Sequence, residues 1–308
     1  MTAWFNRNLE RNNLRKYSER HLLPQRTKGG NWGNFFRKLS ITNWFILINI
    51  LFFILIALLI SLNIFTEEKI FSFFALRAIS LFDGALWTLL TSMFSHRWLP
   101  DLFFNIISLF FVGNLLEKII GRKKYFWFYI CAGLFAGLFY AVLSFYFGRN
   151  EIGAKIFVDP ELYSLGASGA IFGIAGLLAV LTPLMKVYLV AGPIIALVIQ
   201  SVIGSVFPNS SINSISNLII TIYIFISIFS LFSFNPTLRK ISLPLGMPFW
   251  IMPLVAIVPL IIIGLFVPLP IGNTAHLGGL IAGAVYGVYL KNKYRKKTDY
   301  IRNYFRGG

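Results

Sequence analysis

Ser168 opens an apolar run just behind Gly166 and Ala167, His276 opens another ahead of Gly279, Gly283 and Gly287, and Asn105 lies in a third. A hydroxyl and an imidazole are the parts of a nucleophile and its base. The ring takes the hydroxyl proton, the alkoxide attacks an amide carbonyl, and the imidazolium then protonates the leaving nitrogen. The developing oxyanion needs donors, which the Ser168 backbone N–H at a helix N-terminus and the Asn105 carboxamide can supply. No carboxylate shares the depth of His276 nearby, so the residues predict a Ser168 and His276 dyad rather than a three-member relay.

The elements that must position these groups are membrane helices. The 308 residues are 57% hydrophobic and 13% charged, with mean hydropathy +0.73, which excludes a water-soluble domain. Apolar runs of about twenty residues fit helices that cross a hydrocarbon core, whereas barrel strands alternate over about ten. The expected fold is therefore an all-α polytopic membrane protein of about eight spans: 43–65, 101–120, 125–147, 166–181, 187–207, 217–234, 249–267 and 275–290. The interrupted stretch 66–100 reads as a structured loop in the outer interface, anchored by Trp87 and Trp98. In this register Ser168, His276 and Asn105 stand about 22, 22 and 24 Å above the inner ends of their spans. Three capable side chains thus share one level. Glycines at 169, 173 and 176 on one span and at 279, 283 and 287 on the other allow the close approach that a Ser–His hydrogen bond requires.

Charge sets the orientation. The formal net charge of +17 is concentrated in residues 1–40, with nine Lys/Arg, and 291–308, with seven. Placing both tails in the cytoplasm puts 23 Lys/Arg inside and five outside, which favours an even number of spans, in a cell membrane, with Ser168 sunk below the outer surface. The basic residues flank spans rather than build a folded basic surface, so no nucleic acid is expected as a partner. The polar, basic residues ahead of 43–65 make that run an anchor rather than a cleaved leader. Cys131 is the single cysteine, so no internal disulfide forms. The chemistry calls for neither cofactor nor metal.

Taken together, the sequence resembles the rhomboid family of intramembrane serine proteases. The resemblance rests on Gly166-Ala167-Ser168-Gly169, on Ala275-His276-Leu277-Gly278-Gly279 with Gly283 and Gly287, on Asn105, and on Gly113, Glu117 and Gly121 in the family's G-x-x-x-E-x-x-x-G pattern. It implies a Ser168 and His276 dyad that cuts transmembrane segments of other proteins, with Phe172 stacked on the histidine and residues 41–290 forming the protease domain between two cytoplasmic tails. The family core has six helices, so 187–234 reads as an inserted pair, and the loop 268–274 would lie above His276 as a cap. At two places the pattern differs: Asp101 stands where the family usually has an oxyanion-holding histidine, and the loop's Trp-Arg pair reads Trp87-Thr88. His96 could substitute for the missing histidine if its loop folds inward. The alternative reading is an inactive rhomboid-like protein that binds transmembrane clients.

Overall fold

The computed structural model describes residues 39–231, 236–266 and 272–306. The basic tail 1–38, with its aromatic residues, lies outside the described residues, as does the stretch 267–271 of the expected cap. The described fold lies within one compact unit, Ser40–Gly308.

Among the described residues, eight longer helices follow the eight apolar runs: α1 (Ile41–Ser61), α2 (Leu99–Ile120), α3 (Arg122–Phe147), α4 (Ser168–Leu181), α5 (Ala191–Val206), α6 (Ser211–Leu231), α7 (Met252–Phe266) and α8 (Asn273–Lys293). Among the described residues, α1, α2 and α3 are long and apolar enough to cross a membrane, and Ser168–Leu181 and Ser211–Ser227 are shorter apolar helices. The chain is an all-α polytopic membrane protein. Leu51, Leu55 and Leu58 are exposed along α1, as side chains facing lipid would be.

Three local features refine the expected runs. Residues 66–100 carry short helices at Glu67–Phe74, Ala78–Phe82 and Thr88–Thr91, with β1 (Leu76–Arg77) pairing antiparallel with β2 (Tyr163–Ser164). The run expected as a helix from 187 opens instead with β3 (Lys186–Val190), antiparallel to β4 (Pro244–Pro248) in the register Lys186↔Pro248 to Val190↔Pro244. Val187, Tyr188 and Val190 suit a pleated strand, and a short apolar stretch carries no period that separates strand from buried helix. Finally, the C-terminal tail is not all coil: Arg295–Arg306 forms α9, and Arg302 Nη2 donates to the Val180 carbonyl at 2.9 Å, one of the last-turn carbonyls α4 leaves open.

The Gly113, Glu117 and Gly121 pattern has a structural job. Glu117, buried near the C-terminal end of α2, accepts the backbone N–H groups of Ile41 and Thr42 at 2.9 and 2.8 Å and the Thr42 hydroxyl at 2.8 Å. It thereby caps the first turn of α1, where a negative charge also meets the positive end of the helix dipole. Gly121, at φ +86°, makes the reversal into α3 that an L side chain would strain.

At the centre, α4 is buried along most of its length between α3 and α8. A Cβ on Gly279 would meet the Gly169 carbonyl oxygen, and one on Gly283 the Gly173 carbonyl oxygen. Backbone therefore rides on backbone, and only glycine permits it.

Candidate active site

Ser168 begins α4, so its backbone N–H is among the first-turn amides that have no acceptor within the helix. The turn into that helix passes through Gly166 at φ +110°, whose N–H donates to the Ser92 carbonyl at 2.9 Å. Just before it, the ladder Leu76↔Ser164 and Arg77↔Tyr163 ties the segment to the outer loop. Ser168 is thus fixed from both sides, by the helix it starts and by the strand that leads to it.

His276 lies in the first turn of α8, with its backbone N–H donating to the Gly272 carbonyl at 3.1 Å. Its Nε2 is 2.8 Å from Ser168 Oγ. Phe172, one turn below Ser168, stacks on the imidazole with ring centroids 4.4 Å apart and planes 17° from parallel. The stacked ring and the glycine contact of α4 with α8 hold the imidazole facing the hydroxyl. His276 Nδ1 is buried without a hydrogen-bond partner among the described residues. The geometry is that of two members, without an acid behind the base.

Ser168 and His276 share a cavity of about 40 Å³ with Ser92, Ser164, Gly166 and Gly272, room for about three waters. Beside Gly166 stand Asn105, expected as an oxyanion donor, and Asp101, at the position where the family usually has histidine. A Cβ built on Gly166 would lie 3.5 Å from Asp101 Oδ2, 3.6 Å from Asn105 Nδ2 and 3.8 Å from Ser168 Oγ. Glycine keeps open a small volume ringed by a carboxyl, an amide and the hydroxyl. Asn105 Nδ2 donates to Asp101 Oδ1 at 2.8 Å and to the Asp101 carbonyl at 3.0 Å. The structure therefore brings Ser168, His276, Phe172, Gly166, Asn105 and Asp101 to one place.

His96 stays apart from it. Its ring is buried with Nδ1 3.3 Å from the Phe94 carbonyl, and it lines a separate cavity of about 360 Å³ with Phe53, Ile56 and Ile60 of α1, Phe71 and Trp98. Burial pushes its imidazole down to about 4, against a smaller opposing effect of the Phe94 carbonyl. In the loop above, Trp87 Nε1 donates to the Phe73 carbonyl at 2.8 Å and Thr88 Oγ1 to the Ala85 carbonyl at 2.6 Å. The loop's own arginines pair with acids: Arg77 with Glu161 at 3.3 Å and Arg97 with Glu67 at 2.6 Å. Sequence reasoning missed the Ser92 carbonyl and the β1–β2 ladder as supports of Ser168, since neither has a residue pattern that announces it.

Residues 83–219 match the family model of the Rhomboid domain. Rhomboid protease GluP of Bacillus subtilis is 30% identical over 141 residues, 46% of this chain and 24% of that protein. Rhomboid protease AarA of Providencia stuartii is 36% identical over 95 residues, covering 30% and 33% of the two chains. RHOMBOID-like protein 12, mitochondrial, of Arabidopsis thaliana is 30% identical over 130 residues, 41% of this chain and 39% of the relative. Each match spans less than half of the relative's length. The family model takes in Asp101, Asn105 and Ser168 and ends before His276, which the fold returns to Ser168 through α8. By these likenesses and by the site they run through, residues 83–219 carry a Rhomboid domain and the chain is similar to rhomboid proteases.

Proposed function

We propose that the protein is an intramembrane serine endopeptidase that hydrolyses peptide bonds in or near transmembrane segments of other membrane proteins. The 2.8 Å contact between His276 Nε2 and Ser168 Oγ carries this reading. His276 takes the Ser168 proton as Oγ attacks the scissile carbonyl, and the carbonyl π pair moves onto oxygen. The oxyanion receives the Ser168 backbone N–H and the Asn105 amide. Collapse of the intermediate expels the amine, which takes the proton from His276, and a water in the polar cavity repeats the sequence on the acyl-enzyme. Phe172 and the buried contact of α4 with α8 keep the base in line. The relatives named rhomboid proteases support the same activity. In this reading 41–290 is the protease domain, 187–234 is an added helix pair, both tails are cytoplasmic and the site opens outward.

A second reading is a rhomboid-like protein that binds transmembrane clients without cutting them. The commitment of the Asn105 amide to Asp101 favours it, because that amide is then withheld from an oxyanion. The two readings separate on one experiment. Purified protein treated with a serine-directed fluorophosphonate is expected to become labelled at Ser168. Labelling should vanish in Ser168→Ala and fall sharply in His276→Ala, and a transmembrane substrate should be cleaved in parallel. Wild-type protein that neither labels nor cleaves, yet retains intact clients, would establish the binder instead.

A further inference from the structure

The mechanism leaves Asp101 unused, although it stands closer to the site than an idle carboxyl should. Its Oδ1 accepts from Asn105 Nδ2 at 2.8 Å and its backbone carbonyl accepts from the same nitrogen at 3.0 Å, so both hydrogen bonds this amide donates go to Asp101. Its Oδ2 lies 3.5 Å from the vacant Cβ position of Gly166, the point that is also 3.6 Å from the Asn105 amide nitrogen and 3.8 Å from Ser168 Oγ. Among the described residues no cation pairs with Asp101. The groups around it are Asn105 on its own helix and Gly166 and Ser168 from the segment opening α4, with the titratable His276 of α8 bonded to Ser168.

We propose that Asp101 gates the oxyanion pocket by its protonation state: as a carboxylate it closes the pocket, and as a carboxylic acid it becomes one of the pocket's donors. This rests on the serine-protease reading above. A carboxylate binds the Asn105 N–H by a charge-assisted bond and opposes the negative charge that must develop beside it. Protonation weakens that hold on the amide and adds an O–H that can donate to the oxyanion, as neutral carboxylic acids do in other oxyanion holes. The proton on Asp101 is shared by hydrogen bonding and never transferred. The Ser168 proton travels to His276 and on to the leaving amine as before. Gly166 provides the room, since any side chain there would fill the space that the oxyanion must enter.

The test is kcat/KM for a transmembrane substrate against pH in wild type, Asp101→Asn and Asp101→His, with fluorophosphonate labelling of Ser168 followed in the same samples. Wild type is expected to lose about tenfold per pH unit on the alkaline side, as a single essential acid ionises. Asp101→Asn keeps a donor that does not ionise. Its profile should run below wild type on the acid side, lack the alkaline fall and cross above wild type beyond it. Asp101→His, placing the family's usual residue there, should also lack that fall and serves if the Asn variant does not fold. The alkaline limb persisting in both variants, or wild type being flat while Ser168 labels, would overturn the role of Asp101 and leave the protease reading intact. Absence of labelling and cleavage in all three proteins at every pH would overturn both.

Discussion

The roles of the polar residues follow from how few donors surround the reacting carbon. Ser168 supplies a backbone N–H fixed by helix geometry, so that donor survives any side-chain change. In the proposed mechanism Asn105 supplies a donor that can be removed. Asn105→Ala is expected to lower kcat by about 10²- to 10³-fold with KM little changed, because the amide is used only when charge appears on oxygen. A parallel rise in KM, with kcat retained, would mean that Asn105 holds ground-state substrate instead, and steady-state kinetics on one substrate decides it. At this scale the sequence was readable wherever chemistry depends on short spacing: Phe172 is one turn from Ser168 and does stack on His276. The hydrogen bond from Asn105 to Asp101 was not readable, although the two are also one turn apart, because spacing says that side chains share a face and not which rotamer binds which. His96 shows the same limit from the other side, since its ring turns to a cavity beside α1 that nothing in its immediate sequence announces.

The elements succeed as positioning devices because α4 and α8 touch backbone to backbone. Replacing Gly283 with valine would drive a side chain into the Gly173 carbonyl, and the helices would have to part. Forced overpacking of this kind costs about 1–3 kcal/mol. Gly283→Val is therefore expected to lower the thermal midpoint in detergent and to reduce Ser168 labelling well beyond the loss of folded protein, since a shift of about 1 Å is enough to break a catalytic hydrogen bond. Labelling that tracks the folded fraction alone would show that the contact serves stability and not alignment. The glycine stripes revealed this packing in the sequence, and Gly121 with the basic residues after it marked the turn between α2 and α3. What the pattern hid was the partner of Glu117, the first turn of α1, 75 and 76 residues away. The β3–β4 ladder was hidden for another reason: Lys186–Val190 and Pro244–Pro248 are too short for periodicity to tell strand from helix, and their pairing spans the whole of α5 and α6.

For the whole molecule the controlling quantity is where the charge lies. The eight apolar runs could be counted because a bilayer demands a nearly uniform length, and each corresponds to a helix in the fold. Among the described residues, only α1, α2 and α3 meet both length and hydropathy for a span taken alone; α4 is apolar but shorter, and α8 trades apolar bulk for its glycines and polar groups. Orientation then rests on the basic residues, 23 on one side against five on the other when both tails are cytoplasmic. The tail helix α9 belongs to this scheme, since Arg302 reaches the Val180 carbonyl at the end of α4 from that same side. In a bacterial inner membrane, a green fluorescent protein fused after Gly308 is expected to fluoresce and an alkaline phosphatase fused there to stay inactive. Phosphatase fused after Asn150, in the segment between α3 and α4, should be active if, as proposed, that segment joins the outer ends of the two helices. Active phosphatase at Gly308 would invert the topology. The Ser168 cavity would then open to the cytoplasm, and the substrates would have to present their cleavage sites from that side.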